Sequence, residues 1–270
     1  MFLLNQQTHA LFHTGEAPWP LLVCVLGNFR LLRAGQAIAL RRGGKAEILL
    51  CHLGMRYGQV VTSDTLLNLL WPSCDDTLAI QSLHSLIYSL RKLVGDAISS
   101  AAPILHEEGC YRLNLEAGVG VDLACFDAFT KTGDQQARTG DMAAAANAYN
   151  CAVNLYHGDL YGDADVQEAM QREHLRARYL TLQAQLADYD FAQHDYAPCM
   201  NRSWLLLSQD PCREDAHRMV MRCYVRQGER AEALRHYDVC ISVLRAEFDA
   251  PPEPATIALF ELIRLHPGSV

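Results

Sequence analysis

Beyond Val121 the chain offers no strand: Ala, Leu and aromatic residues recur at helical spacing as far as the C-terminus, broken only by short polar turns. Within this helical half the sequence echoes itself. Gly140-Asp141 is followed by Tyr149 nine residues after the glycine, and Gly228-Glu229 by Tyr237 at the same interval, each across an Ala-rich stretch. A weaker copy opens at His194-Asp195, 34 residues before Gly228. That is the tetratricopeptide period, in which a helix pair buries its inner face only by stacking on its neighbour. The first copy is out of phase because Asp163 to Gln193 reads as one long helix. The expectation is a short, irregular helical array.

The half before Val121 has another grammar. Apolar runs Leu21 to Leu26, Phe29 to Leu32 and Ala37 to Leu40 are separated by Gly27-Asn28 and Ala34-Gly35, which reads as a small antiparallel meander. A helix follows from about Lys45 to Met55, closed by Gly54 and Gly58. Thr62-Ser63-Asp64 supply N-cap candidates for a second helix, which Trp71-Pro72 ends. A third helix runs from Thr77 to Val94 and stops at Gly95-Asp96. Ile104 to His106 and Tyr111 to Leu115 then form a hairpin around Glu107-Glu108-Gly109. The order is sheet, three helices, hairpin.

In the third helix, about 100° per residue places Ile80, Leu83, Ile87, Leu90 and Val94 on one face and Gln81, Ser85, Tyr88 and Lys92 on the other, with His84 and Arg91 on the flanks. Taken alone, such a helix is an ordinary amphipathic one with a solvated side. Its place after a capped second helix and before a hairpin is where a winged helix-turn-helix keeps its recognition helix. The side chains suit a groove reader, since Gln pairs with adenine, and Arg with guanine or phosphate.

Charge is divided unevenly. The net charge is -8, yet residues 21–120 hold nine Lys/Arg against eight Asp/Glu, while fourteen basic and twenty-two acidic residues follow position 120. Bulk attraction to nucleic acid is excluded, but a local reader in the first half is not. No apolar run reaches the roughly 18 residues of a membrane span, and Met1 to Ala10 lacks a signal-peptide pattern. A cytoplasmic protein without membrane attachment is expected. Arg41-Arg42-Gly43-Gly44-Lys45-Ala46 fails as a phosphate loop, since Ala39 stands where that motif needs Gly and Ala46 cannot ligand magnesium. No nucleophile, base or paired-carboxylate arrangement stands out, so neither an enzyme nor a bound cofactor is expected. The ten cysteines are scattered singly from Cys24 to Cys240 without a C-x-x-C pair. Cys199, Cys212, Cys223 and Cys240 gather loosely in the last third as conceivable metal or redox ligands. Reduced thiols filling helix cores are the simpler reading, with no metal site.

Val25-Leu26-Gly27-Asn28-Phe29, Leu69-Leu70-Trp71-Pro72, Ser89-Leu90-Arg91-Lys92-Leu93 and Tyr111-Arg112-Leu113 resemble the OmpR-type DNA-binding domain of the Streptomyces antibiotic regulatory protein (SARP) family. Val121-Asp122 with Phe126, the run Ala152 to Leu160, Asp210-Pro211-Cys212-Arg213-Glu214-Asp215-Ala216-His217 and Gly228 to Leu234 are similar to that family's bacterial transcriptional activation domain. The resemblance covers residues 21–266. It implies a mainly α protein: an N-terminal extension (1–20), an α+β winged helix (21–120) and an all-α tetratricopeptide-like activation domain (121–270). It further implies an activator that binds direct repeats in double-stranded DNA near a promoter as side-by-side protomers and recruits RNA polymerase, in that family often for secondary-metabolite genes. Carried over by position, base readers are Gln81, His84, Ser85, Tyr88 and Arg91, and phosphate contacts fall to Lys92, Arg112, Arg41, Arg42 and Lys45. With the sequence starting so close to the reader, no phospho-acceptor receiver domain is expected ahead of it. Two departures stand out: Cys110 replaces the glycine usual before the wing tyrosine, and Glu107-Glu108 would repel phosphates. Either the wing sits back from DNA, or the protein binds weakly alone and depends on a neighbour. Near-neutral charge, the acidic wing tip and a concave repeat surface support the rival reading, a helical interaction or ligand-sensing module with a vestigial winged helix.

Overall fold

Leu21–Cys24 (β1) is buried at all four positions, as a continuous apolar run must be when a strand is covered on both faces. In the computed structural model it lies inside a four-stranded sheet, with two antiparallel strands on one side and a parallel one on the other. Arg30–Arg33 (β2) and Gln36–Ile38 (β3) complete the expected antiparallel meander. Val119–Val121 (β7) pairs parallel with β1, Leu21 opposite Val119 and Val23 opposite Val121. A run this short carries no strand signal of its own in the sequence. The structure describes residues 19–73, 75–94, 98, 101–160 and 166–270. The expected stop at Gly95-Asp96, residues 1–18, Cys74 and the start of the long helix before Val166 lie outside them. The chain divides into two units, Met1–Arg138 with Cys151–Leu175 and Thr139–Asn150 with Arg176–Val270.

In the first unit, helix α1 (Lys45–Met55) has the expected limits and packs on β1. Gly54 does not close it. A Cβ there would stand 3.0 Å from Val25 Cγ1 and 3.3 Å from Val23 Cγ1, so glycine lets the helix approach the sheet. Strand β4 (Val61–Thr62) leads into α2 (Ser63–Leu70), where Thr62 Oγ1 accepts the Thr65 N–H at 3.3 Å as the N-cap reading required. Helix α3 (Asp76–Val94) packs on α1 and α2. Its buried stripe is Ala79, Leu83, Leu90 and Val94, with Ile87 partly buried. Ile80 is a correction: it is exposed, because the docked phase of the helix runs through Ala79 and leaves Ile80 at the stripe's margin. Strands β5 (Ile104–Glu107) and β6 (Cys110–Leu113) form the hairpin, and β4 adds to give the order β4-β6-β5. β6 ends before Asn114, whose side chain binds the Ala102 carbonyl and the Ala117 N–H and turns the chain away.

Two segments far apart in sequence meet in this unit. Leu26 bridges Leu160, and the Gly27 N–H donates to the Asp159 carbonyl at 3.0 Å. Gly27 has φ +89°, and a Cβ on it would lie 2.9 Å from His157 C and O. Positive φ and backbone contact together exclude any side chain there. At the head of α4 (Asp122–Thr139), the Asp122 carboxylate is 1% exposed and accepts N–H bonds from Val25 (2.8 Å), Leu26 (3.0 Å) and Leu123 (2.8 Å). One carboxylate thereby caps a helix and satisfies the end of β1.

Helices α5 (Met142–Leu155), α6 (Val166–Ala192), α7 (Tyr196–Gln209), α8 (Glu214–Arg226), α9 (Arg230–Phe248) and α10 (Pro254–Leu265) follow. The turns after α4, α6 and α8 each place one residue in the left-handed region, Gly140 (φ +85°), His194 (+61°) and Gly228 (+82°). These are the three positions that open the sequence echoes, and the weak copy is the one whose turn uses His. In the second unit α7 packs on α8, α8 on α9 and α9 on α10, each pair filling the next one's open side. Tyr237 stacks on Phe260 at 4.0 Å within a cluster of Met221, Ala233, Leu259 and Ile263.

Candidate nucleic-acid interface

Asp75 caps α3, the candidate reader helix: its Oδ1 accepts the N–H groups of Thr77 (3.0 Å) and Leu78 (3.4 Å), and the helix runs for 19 residues. With the Ala79–Val94 stripe packed inward, Gln81, His84, Ser85, Tyr88, Arg91 and Lys92 are all exposed. Tyr88 is 69% exposed, far more than an aromatic ring needed for the core. The six side chains named from sequence therefore share one helix on its solvent side.

The supporting cations occupy other places. Arg41, Arg42 and Lys45 are exposed around the N-terminus of α1. Lys45 Nζ sits 4.1 Å over the Trp71 ring, so the Trp-Pro sequence that ends α2 also holds this ammonium in place. Arg112 lies on β6 between inward-facing Tyr111 and Leu113, half-buried on the opposite face of the strand.

The hairpin turns on Glu108 (φ +50°) and Gly109 (φ +75°), the two-residue turn with both central residues left-handed. Gly109 is thus consumed by the turn, and Cys110 opens β6 opposite Glu107. The departure from the glycine usual before the tyrosine is accounted for by this register. Ser63 fixes the turn from the side: its N–H and its hydroxyl both donate to the Gly109 carbonyl, at 2.8 and 2.7 Å. Glu107 and Glu108 are exposed at the tip.

One residue of the interface has no mark in the sequence. The His106 ring stacks parallel on Tyr111 at 4.3 Å and meets the His84 ring at a tilt, 5.9 Å away, so it joins the hairpin to α3. Only strand alternation could have pointed to it, and alternation does not say which ring on another element it meets. Burial of Tyr111 pushes its phenol pKa up, with Ser63 acting against that shift. Among the described residues no three His, Cys, Asp or Glu side chains gather as a metal ion would need, and no helix is long and apolar enough to cross a membrane.

Three helices with a hairpin wing, continued by stacked helix pairs, define a winged-helix protein with a tetratricopeptide-like array. Residues 121–264 match the bacterial transcriptional activator domain, and the chain belongs to that family, as a transcriptional regulator of the SARP type. It is similar to Transcriptional regulatory protein MoaR1 of Mycobacterium bovis (strain BCG / Pasteur 1173P2), with 25% identity over 242 residues covering 88% of this chain and 78% of that one. MoaR1 of Mycobacterium tuberculosis (strain ATCC 25618 / H37Rv) matches over the same length at the same identity. Among solved structures it resembles Mycobacterium tuberculosis EmbR in complex with a low affinity phosphopeptide, with a TM-score of 0.67 and 21% identity over 91% of this chain. At that identity the likeness is one of fold, and the chain spans 65% of the length of the EmbR chain.

Proposed function

We propose that this regulator is a DNA-binding transcription activator, with residues 21–120 as the reader and 121–270 as the activation domain. Helix α3 enters the major groove, where Gln81, His84, Ser85, Tyr88 and Arg91 meet base edges. Lys92, Arg112, Arg41, Arg42 and Lys45 contact phosphates and set the register. Protomers lie side by side on direct repeats near a promoter and recruit RNA polymerase, with secondary-metabolite genes as the expected targets. The observation that carries this reading is the division of α3: one face is docked on α1 and α2, and the other is a row of exposed polar side chains.

The test is an electrophoretic mobility assay on the protein's own upstream region, with Arg91→Ala beside the parent. Loss of a base-reading arginine weakens binding at the cognate repeats by about 1 to 3 kcal/mol. Unchanged affinity removes Arg91 from the reader. The exposed Glu107 and Glu108 at the wing tip support a second reading, a helical interaction or ligand-sensing module whose winged helix no longer binds DNA. Failure to shift any duplex at low salt selects it.

A further inference from the structure

Two thiols in the second unit have no part in the reader and none in the turns that build the array. Cys199 on α7 and Cys223 on α8 are both fully buried, 0% exposed. Their sulfurs are 3.4 Å apart. Around them are Ala187 and Met219, with Phe191, Tyr196 and Met200 at the edge and the buried Ser203 hydroxyl beside Cys199, and among the described residues no third His, Cys, Asp or Glu joins them as a metal ion would need. A packed core reaches this spacing between sulfurs only when both side chains point at each other, and the two belong to adjacent helices already held together.

The geometry points to Cys199 and Cys223 as an oxidation site that closes to an intrachain disulfide on exposure to hydrogen peroxide, tying α7 to α8. A disulfide has its sulfurs about 2.05 Å apart, so closure needs an approach of roughly 1.4 Å, within the reach of side-chain rotation and a small helix shift. The two thiols are unequal. When Cys223 loses its proton, the Cys199 S–H donates to the thiolate, which holds the Cys223 pKa below its ordinary value, while that same contact and burial push Cys199 up. Oxidation that starts at Cys199 ends in the same cross-link, because the two sulfurs face each other across one contact, and it runs here from Cys223. Its sulfur attacks one peroxide oxygen and the O–O bond breaks. The departing hydroxide takes up the proton lost by the thiol and leaves as water, with Cys223 as a sulfenic acid. The Cys199 sulfur then attacks the Cys223 sulfur and gives up its own proton. The S–S bond forms, the S–O bond breaks, and a second water leaves. Two thiols are oxidised and one peroxide is reduced.

The cross-link closes the chain between α7 and α8, which restricts the unfolded ensemble and raises the thermal midpoint. The test uses the full chain, folded, treated with hydrogen peroxide, quenched with catalase, alkylated in denaturant and digested. The expected product is a pair of peptides joined through Cys199 and Cys223, about 2 Da lighter than the free pair, together with a higher melting temperature. Dithiothreitol reverses both. In Cys223→Ala the same treatment leaves Cys199 open to alkylation and the melting temperature unmoved by peroxide. Because the parent protein alone yields the cross-linked peptide, the result does not depend on how the variant folds. Full alkylation of both thiols after a dose that oxidises the half-buried Cys110 and Cys212 overturns the assignment. So does a cross-link that forms only when peroxide is added to protein unfolded in urea.

Discussion

Acidification from neutral pH should loosen the helical array through one buried pair, His217 on α8 and His236 on α9. The rings are 2% and 5% exposed. His217 Nε2 lies 2.8 Å from the Pro211 carbonyl, which only an N–H can satisfy, so its Nδ1 is the acceptor for the His236 Nε2–H at 3.0 Å. Both rings are neutral in this arrangement, and the Trp204 ring meets His236 edge-on at 5.2 Å. Burial, with His217 beside it, pushes the His236 imidazole down to about 4. Burial also lowers His217, against the opposing pull of the Pro211 carbonyl and of Glu214, Asp210 and Asp215. An unfolded histidine titrates near 6.5, so below that pH the unfolded chain takes up a proton that the folded one refuses. Stability is complete above about 6.5 and falls as pH drops toward 4. At about 1.4 kcal/mol per pH unit over roughly 2.5 units, His236 alone removes about 3 kcal/mol, and His217 adds to it in the same direction. That is a large part of the roughly 5–15 kcal/mol that holds a typical domain together. Carboxylates titrate in the lower part of the same window, so the informative quantity is a difference. Urea melts of the parent and of His236→Gln, which keeps an N–H for His217 but does not ionise, should separate in slope between pH 6.5 and 4. Equal slopes would mean that the His236 ring is solvated and not a buried neutral group, and acid would then act on the array through other residues.

Asp122→Ala leaves three buried N–H groups, of Val25, Leu26 and Leu123, without an acceptor. At about 1–3 kcal/mol for each orphaned donor, a loss of at least 3 kcal/mol is expected in denaturant melts, and a loss under 1 kcal/mol would show that water replaces the carboxylate. Glu107→Lys combined with Glu108→Lys should raise general DNA affinity and steepen its salt dependence, by up to about 0.9 in log-log slope for each lysine that reaches a phosphate. An unaltered slope in a salt titration places the wing tip away from the duplex.

The periodicities that depend only on neighbours along the chain are legible without coordinates. Lys45–Met55 has the expected limits, Thr62 caps α2 as its position before Ser63-Asp64 suggests, and the echoes at Gly140, His194 and Gly228 mark three left-handed turns. The candidate reader row on α3 is legible for the same reason, since helical phase is a local property. Where phase alone has to choose between adjacent residues it fails, selecting Ile80 where Ala79 is buried, because the final rotation of α3 is decided by the surface it docks on.

Contacts between distant segments follow another rule. The family resemblance marks Val25 to Phe29 and Ala152 to Leu160 separately, yet nothing in either says that Gly27 lies against His157 and Gly158, or that Asp122 satisfies the end of β1. β7 and β4 exist because a neighbouring strand offers them partners, and His106 acquires its place from Tyr111 and His84. Cys199 and Cys223 are two scattered thiols among four, with Cys212 and Cys240, until the packing of α7 on α8 selects them. Chain order determined the helices, their turns and the array, since each is a matter of a few consecutive residues. Pairing across the fold was decided by tertiary packing alone, because it depends on which surfaces exclude water together, and that is a property of no single segment.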